Sequence, residues 1–78
     1  MRLISQNGFI DIPYDQFVLT VVHDHSIGAH FVRATSCYNL DFKIDMAQYS
    51  TRERAKKVLL SITSLLVTPQ VFVFPEDK

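Results

Sequence analysis

Residues 40–49 alternate between apolar and other side chains, and this alternation constrains the fold more than any other part of the chain. Positions 40 to 47 read, in order, Leu40, Asp41, Phe42, Lys43, Ile44, Asp45, Met46 and Ala47. A period of two is typical of a β-strand with one buried face. We therefore predict a strand over residues 40–49 whose even-numbered side chains face the core.

The segment after this strand predicts a helix that packs on the same core. Ser50 and Glu53 have the spacing of a capping box, in which the Ser50 hydroxyl accepts from the Glu53 N–H. Apolar residues then recur at helical spacing, namely Ala55, Val58, Leu59, Ile62, Leu65 and Leu66. Because Pro69 disfavours helix in front of it, we expect a helix over about 51–66.

The remaining strand-like runs are short and separated by turn signals. Asn7-Gly8 predicts a hairpin between residues 2–5 and 9–12. Further runs over 17–24, 29–35 and 71–74 predict a second hairpin and a last strand. The order predicts a single α+β domain over residues 1–78: an antiparallel sheet of about five to six strands built from hairpins, with the helix on one face.

Size and charge limit the classes of function. A chain of 78 residues hides only about 60% of its unfolded surface, so a bound metal or a partner often adds stability. The formal net charge of zero argues against direct nucleic-acid binding. The lone cysteine, Cys37, fits a reducing cytosol, and the longest apolar stretch is too short to span a membrane.

All three histidines fall within residues 23–30, which read HDHSIGAH. If residues 26 and 27 form a hairpin tip, His23 faces His30 and His25 projects on the same side. If Ser36 pairs with Asn39 in the next turn, His30 also faces Asp45. Three imidazoles and a carboxylate are ligands that zinc accepts, so we predict a structural zinc site at His23, His25, His30 and Asp45.

Two alternatives to this zinc site stay open. Cys37 offers a thiolate, a better zinc ligand, but about 23 Å of extended strand separates it from His30. Histidines near a hairpin tip are also commonly solvated surface residues, and a slip of one residue in register would scatter the cluster.

Two groups of residues are candidate partner contacts. Under the same register, an apolar strip faces away from the helix and would be exposed unless the last strand or the tail covers it. A basic run in the first half of the helix is either a second contact or a solvated face. The strip comprises Phe17, Leu19, Val21 and Val32, and the basic run comprises Arg52, Arg54, Lys56 and Lys57.

Three segments carry a resemblance to known proteins: MRLISQNGFIDIPY at residues 1–14, AQYSTRERA at 47–55 and VFVFPEDK at 71–78. They resemble a group of small proteins encoded by prophages of Gram-positive bacteria. Within that group, the chain is similar to type II-A anti-CRISPR proteins. The resemblance implies a phage protein in the host cytoplasm that binds the RNA-guided DNA nuclease of the host and blocks target DNA binding or cleavage. The histidine cluster is not part of that pattern.

Two other functions are consistent with the residues. One is a metal-free phage accessory domain that forms a homodimer through the apolar strip. The other is a small metal-dependent hydrolase, which we disfavour because the chain has no nucleophile motif and little loop from which to build a substrate cleft. We therefore expect a protein that is not an enzyme.

Overall fold

Two three-stranded sheets and one α-helix make up residues 1–64 and 71–77, the part of the chain that this computed structural model describes. The predicted α+β class is confirmed, with the strands divided between two sheets. The elements are β1 (Arg2–Ile4), β2 (Asp11–Pro13), a 3-10 turn (Tyr14–Gln16), β3 (Phe17–Asp24), β4 (Ala29–Ser36), β5 (Lys43–Tyr49), α1 (Arg52–Thr63) and β6 (Val71–Val73).

The smaller sheet joins the two ends of the described chain in the order β2-β1-β6. The predicted first hairpin is confirmed: Leu3 lies opposite Ile12, and the Gly8 N–H donates to the Ser5 carbonyl oxygen at 2.9 Å. Gly8 has a φ of 81°, a conformation that glycine adopts without steric cost. β6 runs parallel to β1. A parallel pair needs a long connection, and here the connection includes the larger sheet and α1.

The larger sheet has the order β3-β4-β5, and all its pairs are antiparallel. The second predicted hairpin is confirmed, since β3 and β4 pair without a register shift and Val21 lies opposite Val32. The β4–β5 pair contains a bulge. Val32 pairs with Ala47 and Arg33 pairs with Asp45, so Met46 is the extra residue. A bulge reverses which side chains of its strand face the core.

The connection between β4 and β5 is longer than we predicted. Ser36 does not pair with Asn39; its N–H donates to the Phe42 carbonyl oxygen at 3.0 Å. The Ser36 hydroxyl accepts from the Tyr38 and Asn39 N–H groups at 3.1 and 3.2 Å, and these bonds stabilise the wider loop. The strand therefore begins at Lys43 and not at residue 40.

One core lies among the two sheets and the helix. α1 packs on β3, β4 and β5. Residues of the smaller sheet and of the tail, by which we mean residues 74–77 after β6, complete the same cluster. Its buried members are Leu3, Ile12, Val32, Ala34, Met46, Ala47, Tyr49, Ala55, Val58, Ile62 and Phe74.

The helix begins one residue later than the predicted capping box. Thr51 is the N-cap, and its hydroxyl accepts from the Arg54 N–H at 3.2 Å. Ser50 instead donates its N–H to Asp77 Oδ2 at 2.8 Å, which ties the tail to the helix start. α1 ends at Thr63, and the predicted helical residues 65 and 66 lie outside the described part of the chain.

Gln6 closes the outer edge of β5. Its N–H donates to the Met46 carbonyl oxygen at 2.8 Å. Its side-chain Oε1 accepts from the Gln48 N–H at 3.0 Å, and its Nε2 donates to the Gln48 and Pro75 carbonyl oxygens at 3.2 and 3.0 Å. The Gln6 amide thus takes the place that a neighbouring strand would occupy.

Candidate functional site

The three histidines come together at the β3–β4 hairpin. His23 and His30 form a cross-strand pair, as predicted, and their rings stack with centroids 4.3 Å apart and planes 8° apart. His25, in the connecting loop, sets its ring edge-on to His23 at 4.2 Å. The cluster forms because cross-strand partners share a face of the sheet.

The hairpin loop holds this arrangement through local hydrogen bonds. Asp24 Oδ1 accepts from the Ser26 N–H at 3.0 Å and from the Ser26 hydroxyl at 2.6 Å. These bonds lower the pKa of Asp24, and the bond from the hydroxyl contributes most, so the carboxylate stays ionised. Gly28 completes the loop with a φ of 64°.

Neighbouring groups favour the neutral form of His23. Desolvation is the largest cause that lowers its pKa, and the nearby imidazoles of His25 and His30 lower it further. The Asp24 carboxylate acts in the opposite direction. His30 is half-buried, and its Nδ1 is buried without a hydrogen-bond partner in the described chain.

The predicted fourth ligand, Asp45, is not part of the cluster. The prediction that His30 faces Asp45 is wrong, because the long loop and the bulge put Tyr49 opposite His30. Asp45 instead pairs with Arg33 on the other face, with Nε and Oδ1 2.7 Å apart. Cys37 is exposed in the β4–β5 connection, beyond the far end of β4 from His30.

The stacked rings of His23 and His30 are not oriented to bind one ion together. Stacked imidazoles direct their ring nitrogens along parallel planes, whereas a tetrahedral ion needs lone pairs that meet at one position. Within residues 1–64 and 71–77, no three histidine, cysteine or acidic side chains are arranged to hold a metal ion.

The apolar strip is not on an open face. Phe17, Leu19 and Val21 are half-buried against the core, and Val32 is fully buried within it. The prediction that this strip faces away from the helix is wrong because the wider loop puts Ala34 opposite Ile44 and the bulge at Met46 then puts Val32 opposite Ala47. The side of β3 and β4 that carries the strip therefore packs under α1.

The basic run lies in the first half of α1, as predicted. Arg52, Lys56 and Lys57 are exposed. Arg54 differs from them, because it is half-buried and its Nη2 donates to the Glu76 carbonyl oxygen at 3.2 Å. Arg54 therefore holds the tail in place, and the other three side chains are accessible to a partner.

A group of large apolar side chains between β4 and β5 is exposed, which the sequence pattern does not predict. We call residues 37–42, between β4 and β5, the apolar loop. Tyr38 and Leu40 are 84% and 71% exposed, and Phe42 is half exposed, with its ring 6.2 Å from that of Phe17. The alternating pattern placed Leu40 and Phe42 on the buried face of a strand. The turn predicted at Ser36 and Asn39 is too short. The Asn39 side chain accepts from the Asp41 N–H at 3.1 Å, and an asparagine that can form such an Asx turn is the signal for a longer loop.

Comparisons with protein-family models, with curated proteins and with solved structures give no match to this chain. Among the described residues, no helix has the length and apolar character needed to cross a membrane.

Proposed function

We propose that this protein is a non-enzymatic phage protein that binds the RNA-guided DNA nuclease of a type II CRISPR system in the host cytoplasm and inhibits it. The identity of the target rests on the resemblance of residues 1–14, 47–55 and 71–78 to small prophage proteins. The mode of action, binding to a protein surface, rests on the exposed side chains described above.

The observation that carries this proposal is the apolar loop. Large apolar side chains that are mostly exposed in one short segment mark an interaction site. Aromatic residues are the common anchors of protein interfaces, and Tyr38 and Phe42 supply two of them. The free protein leaves the apolar surface of these side chains exposed to water. Burying that surface against a partner would stabilise the complex.

The basic side chains of α1 form a second, separate surface. Arg52, Lys56 and Lys57 lie in the first half of α1. Ile62 and Thr63, at the end of α1, share a groove with Tyr14 and Phe17, and the apolar loop contacts Phe17 through Phe42. The basic side chains and the apolar loop are therefore near different ends of the helix. The basic side chains would add salt-sensitive attraction to acidic groups on the nuclease, and the apolar loop would add salt-insensitive contact. Together they would occupy a surface that the nuclease uses for its DNA.

A polar cleft lies beside the histidine hairpin. This cleft has a volume of about 470 Å³, and Gln6, Gly28, Gln48, Tyr49 and Asp77 are among its lining residues. None of the three histidines lines it. A substrate held in this cleft would therefore lie beside the hairpin loop and outside the histidine cluster.

Zinc belongs to this proposal as a structural ion. His23, His25 and His30 are close enough to share one ion only after their rings rotate out of the stacked arrangement. The zinc would then fix the β3–β4 hairpin, and a water molecule would take the position predicted for Asp45.

The proposal is tested by a DNA-cleavage assay with purified type II nucleases and their guide RNAs, titrated with the full chain. We expect inhibition by the wild type, and at least tenfold weaker inhibition by the double variant Tyr38→Ala/Leu40→Ala. Phe9→Ala is the matched control, because Phe9 is 89% exposed but lies outside the apolar loop. Absence of binding to any type II nuclease at low salt would contradict the proposal.

A further inference from the structure

Among the described residues, the outer edge of β3 has no strand partner along its whole length. In the order β3-β4-β5, β3 is a terminal strand of eight residues, and no other strand of residues 1–64 and 71–77 pairs with its outer side. A strand edge presents unpaired N–H and C=O groups, whose natural complement is another extended backbone.

Within the part of the chain that the structure describes, the other sheet edges are protected and the outer edge of β3 is not. Gln6 closes the outer edge of β5, and the smaller sheet ends in strands of only three residues, one of which contains Pro13. β3, with the sequence FVLTVVHD, has neither proline nor lysine, and no register shift interrupts its pairing with β4. Proline, lysine and register shifts are features with which proteins commonly block a strand edge. Because β3 lacks them, its edge is suited to pairing.

A groove beside this edge can accept side chains from an added strand. It lies between β3 and α1, has a volume of about 370 Å³, and includes Tyr14, Leu19, Leu59 and Ile62 among its lining residues. Side chains of an added strand alternate between the two faces of the sheet, so every second one would enter this groove.

We propose that the occupant is the β3 strand of a second copy of this chain, paired antiparallel across a two-fold axis. An antiparallel edge is complementary to itself under such an axis. The only carboxylate of β3, Asp24, lies at its end, so the two Asp24 side chains of a pair would be at opposite ends of the interface. The formal net charge of zero also leaves little long-range repulsion between copies.

An exposed apolar side chain on β3 adds to the pairing. Val18 is 54% exposed and is among the residues that line the groove. The two larger sheets would become one continuous sheet of six strands. This dimer does not depend on the proposed nuclease target.

Sedimentation velocity on the full chain over a range of concentrations tests the dimer. We expect a species of twice the 9.0 kDa chain mass. Thr20→Lys places a charge on an exposed side chain of β3, where it would meet the same charge on the second copy, so we expect a dissociation constant at least tenfold higher. Circular dichroism of this variant checks that the fold is retained.

Gln48→Lys is the matched control. It adds the same charge to an exposed residue of β5, whose edge Gln6 closes, and we expect it to dimerise like the wild type. A wild type that stays monomeric at about 1 mM, or a Thr20→Lys dimer as stable as the wild type, would overturn the proposal. A monomer that captures an extended peptide of different sequence would also overturn self-pairing and assign the edge to a foreign strand.

Discussion

The hydroxyl group of Tyr49 donates a hydrogen bond to the carbonyl oxygen of Pro75, with 2.8 Å between the two oxygens. The Tyr49 side chain is fully buried, at the end of β5 opposite His30. Burial raises the pKa of Tyr49 to about 12, with a smaller contribution from Asp77 and opposition from Arg54. The bond joins the larger sheet to the tail at a point where a charged phenolate is disfavoured.

The raised pKa of Tyr49 predicts a loss of stability at alkaline pH. Between pH 10 and about 12 the unfolded chain loses the phenol proton and the folded chain keeps it, so the free energy of unfolding falls as pH rises. We expect the full contribution below pH 10 and a loss of about 2 to 3 kcal/mol by pH 12. Urea denaturation at pH 8 to 12 measures it.

Tyr49→Phe is the control for this prediction. It removes the titrating group and the hydrogen bond to Pro75, which costs about 1 kcal/mol at neutral pH. Its alkaline loss should be smaller than that of the wild type by the Tyr49 contribution, and an identical pH profile for the two proteins would contradict the assignment.

The cluster predicts that His23 titrates below the usual range for histidine. Its folded pKa is lowered, so its contribution to stability is present above the unfolded pKa and is lost as pH falls through the folded value. Proton NMR of the imidazole signals measures this pKa. His30→Ala removes one repelling neighbour and should raise the pKa of His23, whereas Asp24→Asn should lower it.

A zinc titration separates the histidines from Asp45. If zinc binds at the cluster, we expect one ion per chain, a higher melting temperature and loss of both effects in His23→Ala. Asp45→Ala should bind zinc as the wild type does, because Asp45 lies on the opposite face with Arg33. A stoichiometry far below one, unaffected by His30→Ala, would exclude the site.

The observed helix cap predicts unequal effects for two neighbouring hydroxyl residues. Thr51→Ala removes the acceptor of the Arg54 N–H and should destabilise the protein by about 1 kcal/mol. Ser50→Ala leaves the hydrogen bond from the Ser50 N–H to Asp77 intact, so it should destabilise the protein by only a small fraction of the loss in Thr51→Ala. Denaturation curves that rank the two variants in the reverse order would support the capping box of the sequence pattern instead.

Local sequence signals were sufficient where the contacts are local. The β3–β4 hairpin and the His23–His30 pair follow from one short loop with a positive-φ glycine, so their register could be counted from the turn. The first hairpin, with Gly8, is the same case.

The errors arise where the pairing depends on side-chain contacts that a hydropathy pattern does not contain. The width of the apolar loop is set by bonds to the Ser36 hydroxyl, and the bulge at Met46 changes parity in the middle of β5. These two features together moved Asp45 away from His30 and put Val32 under the helix. The division into two sheets also escaped prediction, because β6 pairs with a strand almost seventy residues earlier.

The parallel pairing of β1 with β6 has a consequence for the order of folding. Leu3 and Phe74 share one core, so the hairpin that carries Leu3 cannot bury it fully until residues 71–74 have left the ribosome. A two-stranded hairpin of three-residue strands is marginal on its own in water. The larger sheet and α1 can assemble first, because their contacts are closer in sequence. Closing the smaller sheet costs the entropy of a long loop, so the pairing of β6 with β1 is then the slow late step.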